Sequence, residues 1–281
     1  MSARVDEGKL VRRRTSGPSL YYNLVIPEGA PEVVVALLHG YADYGGRYTH
    51  VMEAWAPRGI ATVAIDMRGH GHADGPRGAC LHFSEYVDDV AELRALIEER
   101  VPGVPRVLFG HSFGGLVAAT AAIFDPSPWR GLVLSSPFLG VGMPLPSVQR
   151  LAGMVVSKLA PGVGMPSGLK GKDITHDAAR ARAYDNDPLC FKNANARWFN
   201  ETEAAQAAAI DRAFALRMPL YTFIGTGDRV VKIERAREFF DAAGSTDKTW
   251  VPYEGLYHET LNETDWRPIA GAVADWVLQH K

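Results

Sequence analysis

The feature that most restricts how this chain can fold is a rhythm: short apolar runs alternate with longer spans whose apolar residues recur at helical spacing. The runs cover residues 20–26, 33–38, 61–65, 107–109, 132–134, 220–224 and 249–251. Most are rich in Val, Ile, Leu or aromatic residues and stop at Gly, Pro, Asp or His, which marks them as strands. Near-continuous apolar strands suit a parallel sheet buried on both faces. Helices are predicted over 84–100, 114–124, 233–243 and 265–279. In the first of these, Ser84 and Glu85, with Asp88 and Asp89 in the early turns, make a helix start. Strand, helix and strand repeated in this way imply an α/β fold built on an open, doubly wound sheet.

The rhythm breaks between about 137 and 218. That segment holds Pro/Gly clusters around 140–146 and 161–171, helical stretches over 177–184 and 203–215, and no convincing strand. The simplest account is a mostly helical insertion between two strands of the sheet. Within it Val148, Leu151, Val155 and Leu159 recur at nearly helical spacing.

Composition excludes several classes. With 281 residues, 47% of them hydrophobic and 22% charged, the chain matches an ordinary globular protein and neither a disordered nor a fibrous one. A formal net charge of −2 leaves no electrostatic footprint for nucleic acid. The basic cluster Arg12-Arg13-Arg14 is expected to be a solvated strand edge. Two cysteines, Cys80 and Cys190, make no disulfide framework, fit a reducing compartment and read as buried thiols. No stretch approaches the ~18 apolar residues of a membrane span. The first residues carry charges where a secretory signal needs an apolar region, so a cytoplasmic protein is expected.

The chemistry centres on Gly110-His111-Ser112-Phe113-Gly114, a G-x-S-x-G between an apolar strand and a helical run. Such a serine sits on a strained turn whose glycines let backbones approach closely. A serine hydroxyl is a poor nucleophile at pH 7 and needs a base, itself oriented by an acid. On this architecture the order is Ser, then Asp or Glu, then His. His176, His258 and His280 follow Ser112; His176 lies in the insertion and His280 is penultimate, whereas His258 follows a strand through a Glu-Gly turn. For the acid, Asp228 follows the apolar run 220–224; Asp241, Asp247 and Glu254 have blander contexts. The expected oxyanion donors are the backbone N–H groups of Phe113 and, after the run 33–38, of Tyr41.

A rival constellation is His70-Gly71-His72-Ala73-Asp74 with Asp66 nearby, which resembles a metal-binding H-x-H-x-D. Further ligands are hard to nominate, and a tight Gly-rich turn with polar anchors explains the same residues. No metal and no cofactor is predicted.

Taken together, these segments resemble the α/β-hydrolase superfamily and, within it, the monoacylglycerol lipase and lysophospholipase group. The span from His39 to Tyr48 is similar to that group's HG-x-x-E-x-x-GRY segment, and the span from Asp66 to Gly71 to its D-x-RGHG turn. Gly110–Gly115 is similar to its GHSMGG elbow, with Phe113 for Met. Asn186-Asp187-Pro188-Leu189 resembles a signature of that group's cap, and Gly225-Thr226-Gly227-Asp228 and Tyr257-His258-Glu259 resemble its acid and base segments. The resemblance implies a mostly parallel sheet of about eight strands, with a core over 1–136 and 219–281 and a helical cap over 137–218. It also implies Ser112, Asp228 and His258 as the triad, with Tyr41 and Phe113 at the oxyanion hole. In that group the acid and arginine of the first segment help hold a glycerol-like head group. The matching residues are Asp43, one methylene shorter than Glu, and Arg47; head-group contact and a structural Asp43–Arg47 pair are equally good readings. Where some relatives carry a second histidine after the base, this chain has Leu261.

The expected activity is a cofactor-independent serine hydrolase acting on a small-molecule ester or lipid, most simply a monoacylglycerol, with lysophospholipid as a variant. A broad carboxylesterase is the first alternative. An aminopeptidase would need cap carboxylates such as Asp185, Glu201 or Glu203 for a free amine. The stripe Val148–Leu159 fits ordinary packing, an acyl-tunnel wall or a face for transient contact with a membrane surface.

Overall fold

In the computed structural model, which describes residues 3–142 and 164–281, the apolar runs become neighbours in one eight-stranded sheet. Its strands are β1 (Arg4–Leu10), β2 (Leu20–Ile26), β3 (Val33–Leu38), β4 (Ile60–Asp66), β5 (Arg106–His111), β6 (Gly131–Ser135), β9 (Leu220–Gly225) and β10 (Lys248–Tyr253). Two short strands, β7 (Gly164–Pro166) and β8 (Asn193–Asn195), pair separately. The sheet order is β1-β2-β4-β3-β5-β6-β9-β10, with β2 antiparallel to both neighbours and the rest parallel. The winding reverses between β3 and β5. In such sheets, ligands bind outside the carboxyl ends of the strands at that switch point.

Helices α1 (Thr49–Trp55) and α8 (Trp266–Gln279) cover one face; α2 (Ser84–Arg100), α3 (Phe113–Phe124) and α7 (Ile233–Ala242) cover the other. Along β3, Val34, Ala36 and Leu38 join the second layer, and Val33, Val35 and Leu37 the first. Every residue of β3 is therefore buried, and the same holds for β4, β6 and β9. Two covered faces are why these strands read as unbroken apolar runs.

Between β6 and β9 lie α4 (Gly171–Ile174), α5 (Ala178–Asn186) and α6 (Ala196–Asp211). The segment expected to lack strands contains the β7–β8 pair, whose three-residue strands of Gly, Met, Pro, Asn and Ala carry no β signal. Helix α6 begins at Ala196 and not at Glu203, because Asn195 caps it, accepting from Arg197 N at 2.9 Å and Trp198 N at 3.2 Å. The stripe Val148, Leu151, Val155 and Leu159 lies outside the described residues.

Two further expectations are corrected. Strand β1 was hidden by its polar composition: as an edge strand, it buries only part of one face. The arginine cluster follows β1 instead of forming its edge; Arg13 and Arg14 are exposed as expected, but the Arg12 side chain, 4% exposed, pairs with Asp89 of α2. Glu92, also on α2, accepts from the N–H groups of Arg13, Arg14 and Thr15 at 2.9, 2.8 and 2.7 Å. Among the described residues, no helix is long and apolar enough to cross a membrane.

Candidate active site

Four strand ends supply the site: β3 leads into His39–Asp43, β5 into Ser112, β9 into Asp228 and β10 into His258. Ser112 holds φ +52° and ψ −119° between β5 and α3, a conformation that costs a residue with a side chain of order 1–3 kcal/mol. The neighbouring glycines are sterically required. A Cβ on Gly110 would sit 2.3 Å from the Gly114 carbonyl oxygen, and one on Gly114 would sit 2.4 Å from the carbonyl oxygens of Leu38 and His39. Neither backbone could yield without moving the elbow against β3.

At the start of α3 the first N–H groups have no acceptor within the helix, and the helix dipole adds partial positive charge there. Phe113 N–H is one of them. The Tyr41 loop lies close by: a Cβ on Gly40 would be 3.4 Å from Ser112 Cβ. Beneath it His39 is a structural bracket, with Nδ1–H donating to Gly40 O at 2.7 Å and Nε2 accepting from Met67 N at 3.0 Å.

His258 is buried, and its Nδ1–H donates to Asp228 Oδ2 at 2.7 Å. Asp228 Oδ1 accepts from Val230 N at 2.8 Å and Val231 N at 3.2 Å, which fixes the carboxylate. The pairing leaves His258 Nε2 as the atom with a free lone pair. Burial alone would lower the imidazole pKa, but the Asp228 carboxylate, by charge and hydrogen bond, raises it above the ordinary 6.5. Conversely, burial would raise the Asp228 carboxyl, and His258 with the two N–H groups brings it below the usual range. His111, packed on His258 with ring centroids 4.8 Å apart, is lowered to about 3 by burial and by the His258 charge, so it stays neutral.

Ser112, His258 and Tyr41 border one cavity enclosing about 1320 Å³ of empty space, part of it open to solvent. Phe138, Val141, Trp198, Phe199 and Val230 give it an apolar wall, and Asp43 and Glu259, both buried, also border it. Arg47 holds both: Nη1 donates to Asp43 Oδ1 at 2.9 Å and to Glu259 Oε1 at 2.8 Å, and Nη2 donates to Glu259 Oε2 at 2.6 Å. Asp43 also accepts from Tyr44 N at 2.8 Å and Tyr48 OH at 2.9 Å. Burial would raise its carboxyl, but the Arg47 guanidinium beside it holds it below the usual carboxylate range. Of the two sequence readings for Asp43 and Arg47, the pairing is present, and it includes Glu259, which had no assigned role. Nothing local in the chain signals a contact between residues 212 positions apart.

The other candidates sit elsewhere. His70 is buried, with Nδ1–H donating to Arg68 O at 2.9 Å; burial lowers its pKa to about 3. Asp66 accepts from Gly45 N at 2.7 Å and His72 N at 2.8 Å, and Asp74 pairs with Lys9 at the surface. Among the described residues, no group of three or more His, Cys, Asp or Glu side chains could hold a metal ion. Cys80 and Cys190 are free and buried. Asp185 accepts from Gly171 N, Glu201 pairs with Arg197, and neither these two nor Glu203 borders the cavity among the described residues. A second tie escaped the sequence reading. Glu263 accepts from His176 N, His176 Nδ1 and Tyr257 N at 2.8, 2.8 and 3.0 Å, joining α4–α5 to the loop that carries His258.

Comparison with known proteins agrees with this architecture. Residues 29–265 match the family model Hydrolase_4, described as serine aminopeptidase, S33. The chain is 30% identical over 272 residues to a monoacylglycerol lipase of Mycolicibacterium smegmatis, covering 94% of each. It is 32% identical over 253 residues to phospholipase YtpA of Bacillus subtilis, covering 89% of this chain and 96% of the relative. Among solved structures, the Paleococcus ferrophilus monoacylglycerol lipase superposes with a TM-score of 0.84 at 28% identity, covering 93% of this chain and 99% of that one. The chain belongs to the serine aminopeptidase S33 (Hydrolase_4) family, within the α/β-hydrolase superfamily.

Proposed function

We propose that this ester hydrolase cleaves monoacylglycerols through an acyl-enzyme on Ser112. The observation that carries the reading is one cavity bordered at once by the elbow serine, by the Asp228-held His258, by apolar walls and by two carboxylates. Ser112 Oγ attacks the ester carbonyl carbon while His258 Nε2 takes its proton; Asp228 keeps the required tautomer and stabilises the imidazolium. The N–H groups of Phe113 and Tyr41 receive the developing oxyanion. Collapse of the tetrahedral intermediate breaks the C–O bond, and His258 returns the proton to the departing alcohol. Water, deprotonated by His258, then releases the fatty acid and restores Ser112.

The apolar wall suits an acyl chain, and the polar end of the cavity at Asp43 and Glu259 is where a glycerol head group would lie. Residues 137–218 act as the cap: Phe138, Tyr184, Trp198 and Phe199 of this segment border the cavity that Ser112 opens into. Names of relatives, a monoacylglycerol lipase and a phospholipase, support a lipid ester. An amine-recognising peptidase is disfavoured because Asp43 and Glu259 share the buried Arg47, and a free ammonium would have to displace it.

Hydrolysis rates for glycerol esters and ethyl esters from C2 to C18, with lysophospholipids alongside, test the substrate class. Highest kcat/KM on medium- or long-chain monoacylglycerol is expected. Turnover confined to C2–C4 esters, without glycerolipid hydrolysis, overturns it, and a clear preference for lysophospholipid replaces the head group.

A further inference from the structure

The side chain of Tyr41 makes more contacts than a backbone donor needs. Its ring stacks on Trp198 with centroids 3.6 Å apart and meets Phe113, Phe191 and His70 edge-on at 5.9, 5.2 and 5.3 Å. Its hydroxyl donates to Gly78 O at 2.9 Å and accepts from Asn195 N at 3.3 Å. Gly78 lies in the turn after β4, and Asn195 ends β8 and caps α6. One side chain of the β3 loop thereby ties together segments 37 positions after it and 154 positions after it. Burial pushes the phenol pKa upward, so the hydroxyl keeps its proton at working pH.

The loop needs such ties. Ala42 stands at φ +56°, a left-handed conformation that residues with a Cβ rarely adopt, so residues 40–43 do not hold this shape by local preference. On the far side of Ala42, the Asp43 carboxylate accepts from Gly40 N at 3.3 Å and Tyr44 N at 2.8 Å. On the near side, His39 Nδ1–H holds the carbonyl of the Gly40–Tyr41 peptide at 2.7 Å, and the Tyr41 phenol anchors the residue from its side chain. The Tyr41 and Phe113 rings touch, so the side chains of both proposed oxyanion donors brace each other.

We propose that Tyr41 is a positioning residue: its hydroxyl, held between Gly78 and Asn195, fixes the Tyr41 backbone N–H in oxyanion geometry and couples it to the β8–α6 junction. The proposal rests on the assignment of that N–H as an oxyanion donor. Movement of the β8–α6 junction would shift the donor through the phenol, so that junction acts on the rate of the acyl-transfer step.

Tyr41→Phe and Tyr41→Leu in the full chain test this with a p-nitrophenyl ester, which makes the outcome independent of lipid preference. The readouts are kcat, KM, thermal midpoint and affinity for a trifluoromethyl ketone, which forms a tetrahedral adduct with an active serine. Tyr41→Phe keeps the ring and is expected to lower kcat about tenfold, less than the roughly 10²–10³-fold that loss of a donor costs. KM should stay within about twofold, and ketone affinity should fall by the same factor as kcat. Tyr41→Leu should lose more on both. Unchanged kcat and ketone affinity in Tyr41→Phe, or a loss confined to KM or to thermal midpoint, overturns the coupling. Ser112→Ala run in parallel separates the two layers. An active Ser112→Ala removes the catalytic reading itself, whereas an inactive Ser112→Ala beside a wild-type Tyr41→Phe removes the coupling alone.

Discussion

The central strands and the α4–α5 segment reach the same active site by different physics. Strands β3, β4, β6 and β9 bury every residue between two apolar layers. The α4–α5 segment instead has a small cluster, Ile174, Tyr184 and Cys190. It docks on the His258 loop through hydrogen bonds: Glu259 N to Ile174 O at 2.8 Å, Thr175 Oγ1 to Asn262 O at 2.9 Å, Arg180 Nη1 to Asn262 Oδ1 at 2.7 Å, and the contacts of Glu263. Apolar burial is non-directional and scales with area, so it makes the sheet stable. Hydrogen bonds are directional, so they can set the angle of a loop while adding little net stability. The sheet is thus the source of stability, and the docked segment the source of alignment.

Substitutions can separate these contributions. The largest effect belongs to Asp228→Asn at the end of β9, expected to cost about 10⁴-fold in kcat with thermal midpoint nearly kept, as for the acid of other triads. The same variant tests the pH response. With His258 as the proposed base and its pKa raised above 6.5, kcat/KM is expected to climb as pH rises through that raised value. Stability has the opposite sign. The contribution of the charged His258–Asp228 pair is full between the ordinary carboxyl value of 3.8 and 6.5, and is lost as pH rises through the raised His258 value or falls through the lowered Asp228 value. Residual activity in Asp228→Asn should show its acid limb moved to lower pH.

Next in size is Leu37→Ala in the middle of β3, a residue with no exposed surface. It should lower unfolding free energy by about 2–5 kcal/mol, while kcat per folded molecule stays within about twofold. Denaturant unfolding and active-site titration measure the two terms. Smaller again is Glu263→Gln, which weakens the docking of α4–α5: a loss of about 1–3 kcal/mol and a kcat lowered by about tenfold through the misplaced His258 loop. If Leu37→Ala impaired turnover per folded molecule more than Glu263→Gln did, the division between stability and alignment would be wrong.

The same contrast explains what was legible in the chain. Strands buried on both faces must be apolar throughout, so β3, β4 and β9 announce themselves by composition alone. Ser112 and Asp228 can be nominated because each follows such a run, whereas His258 follows the edge strand β10, whose residues are only partly buried. The contacts that aim them depend on residues far apart in sequence: Arg47 with Glu259, Glu263 with His176, Tyr41 with Asn195. No local pattern encodes these pairs, because the topology creates them. Edge strand β1 and the three-residue β7 and β8 carry no such signal for a related reason: their pairing is decided by partners and not by their own side chains.

The central claim, that Ser112 is the nucleophile of an ester hydrolase, is tested most directly by intact-mass and peptide mass spectrometry after treatment with a fluorophosphonate. The expected result is one adduct per chain on the peptide containing Ser112, formed in step with loss of esterase activity and absent from Ser112→Ala. Full activity without an adduct, or an adduct on another residue with Ser112→Ala still turning over ester, would contradict it.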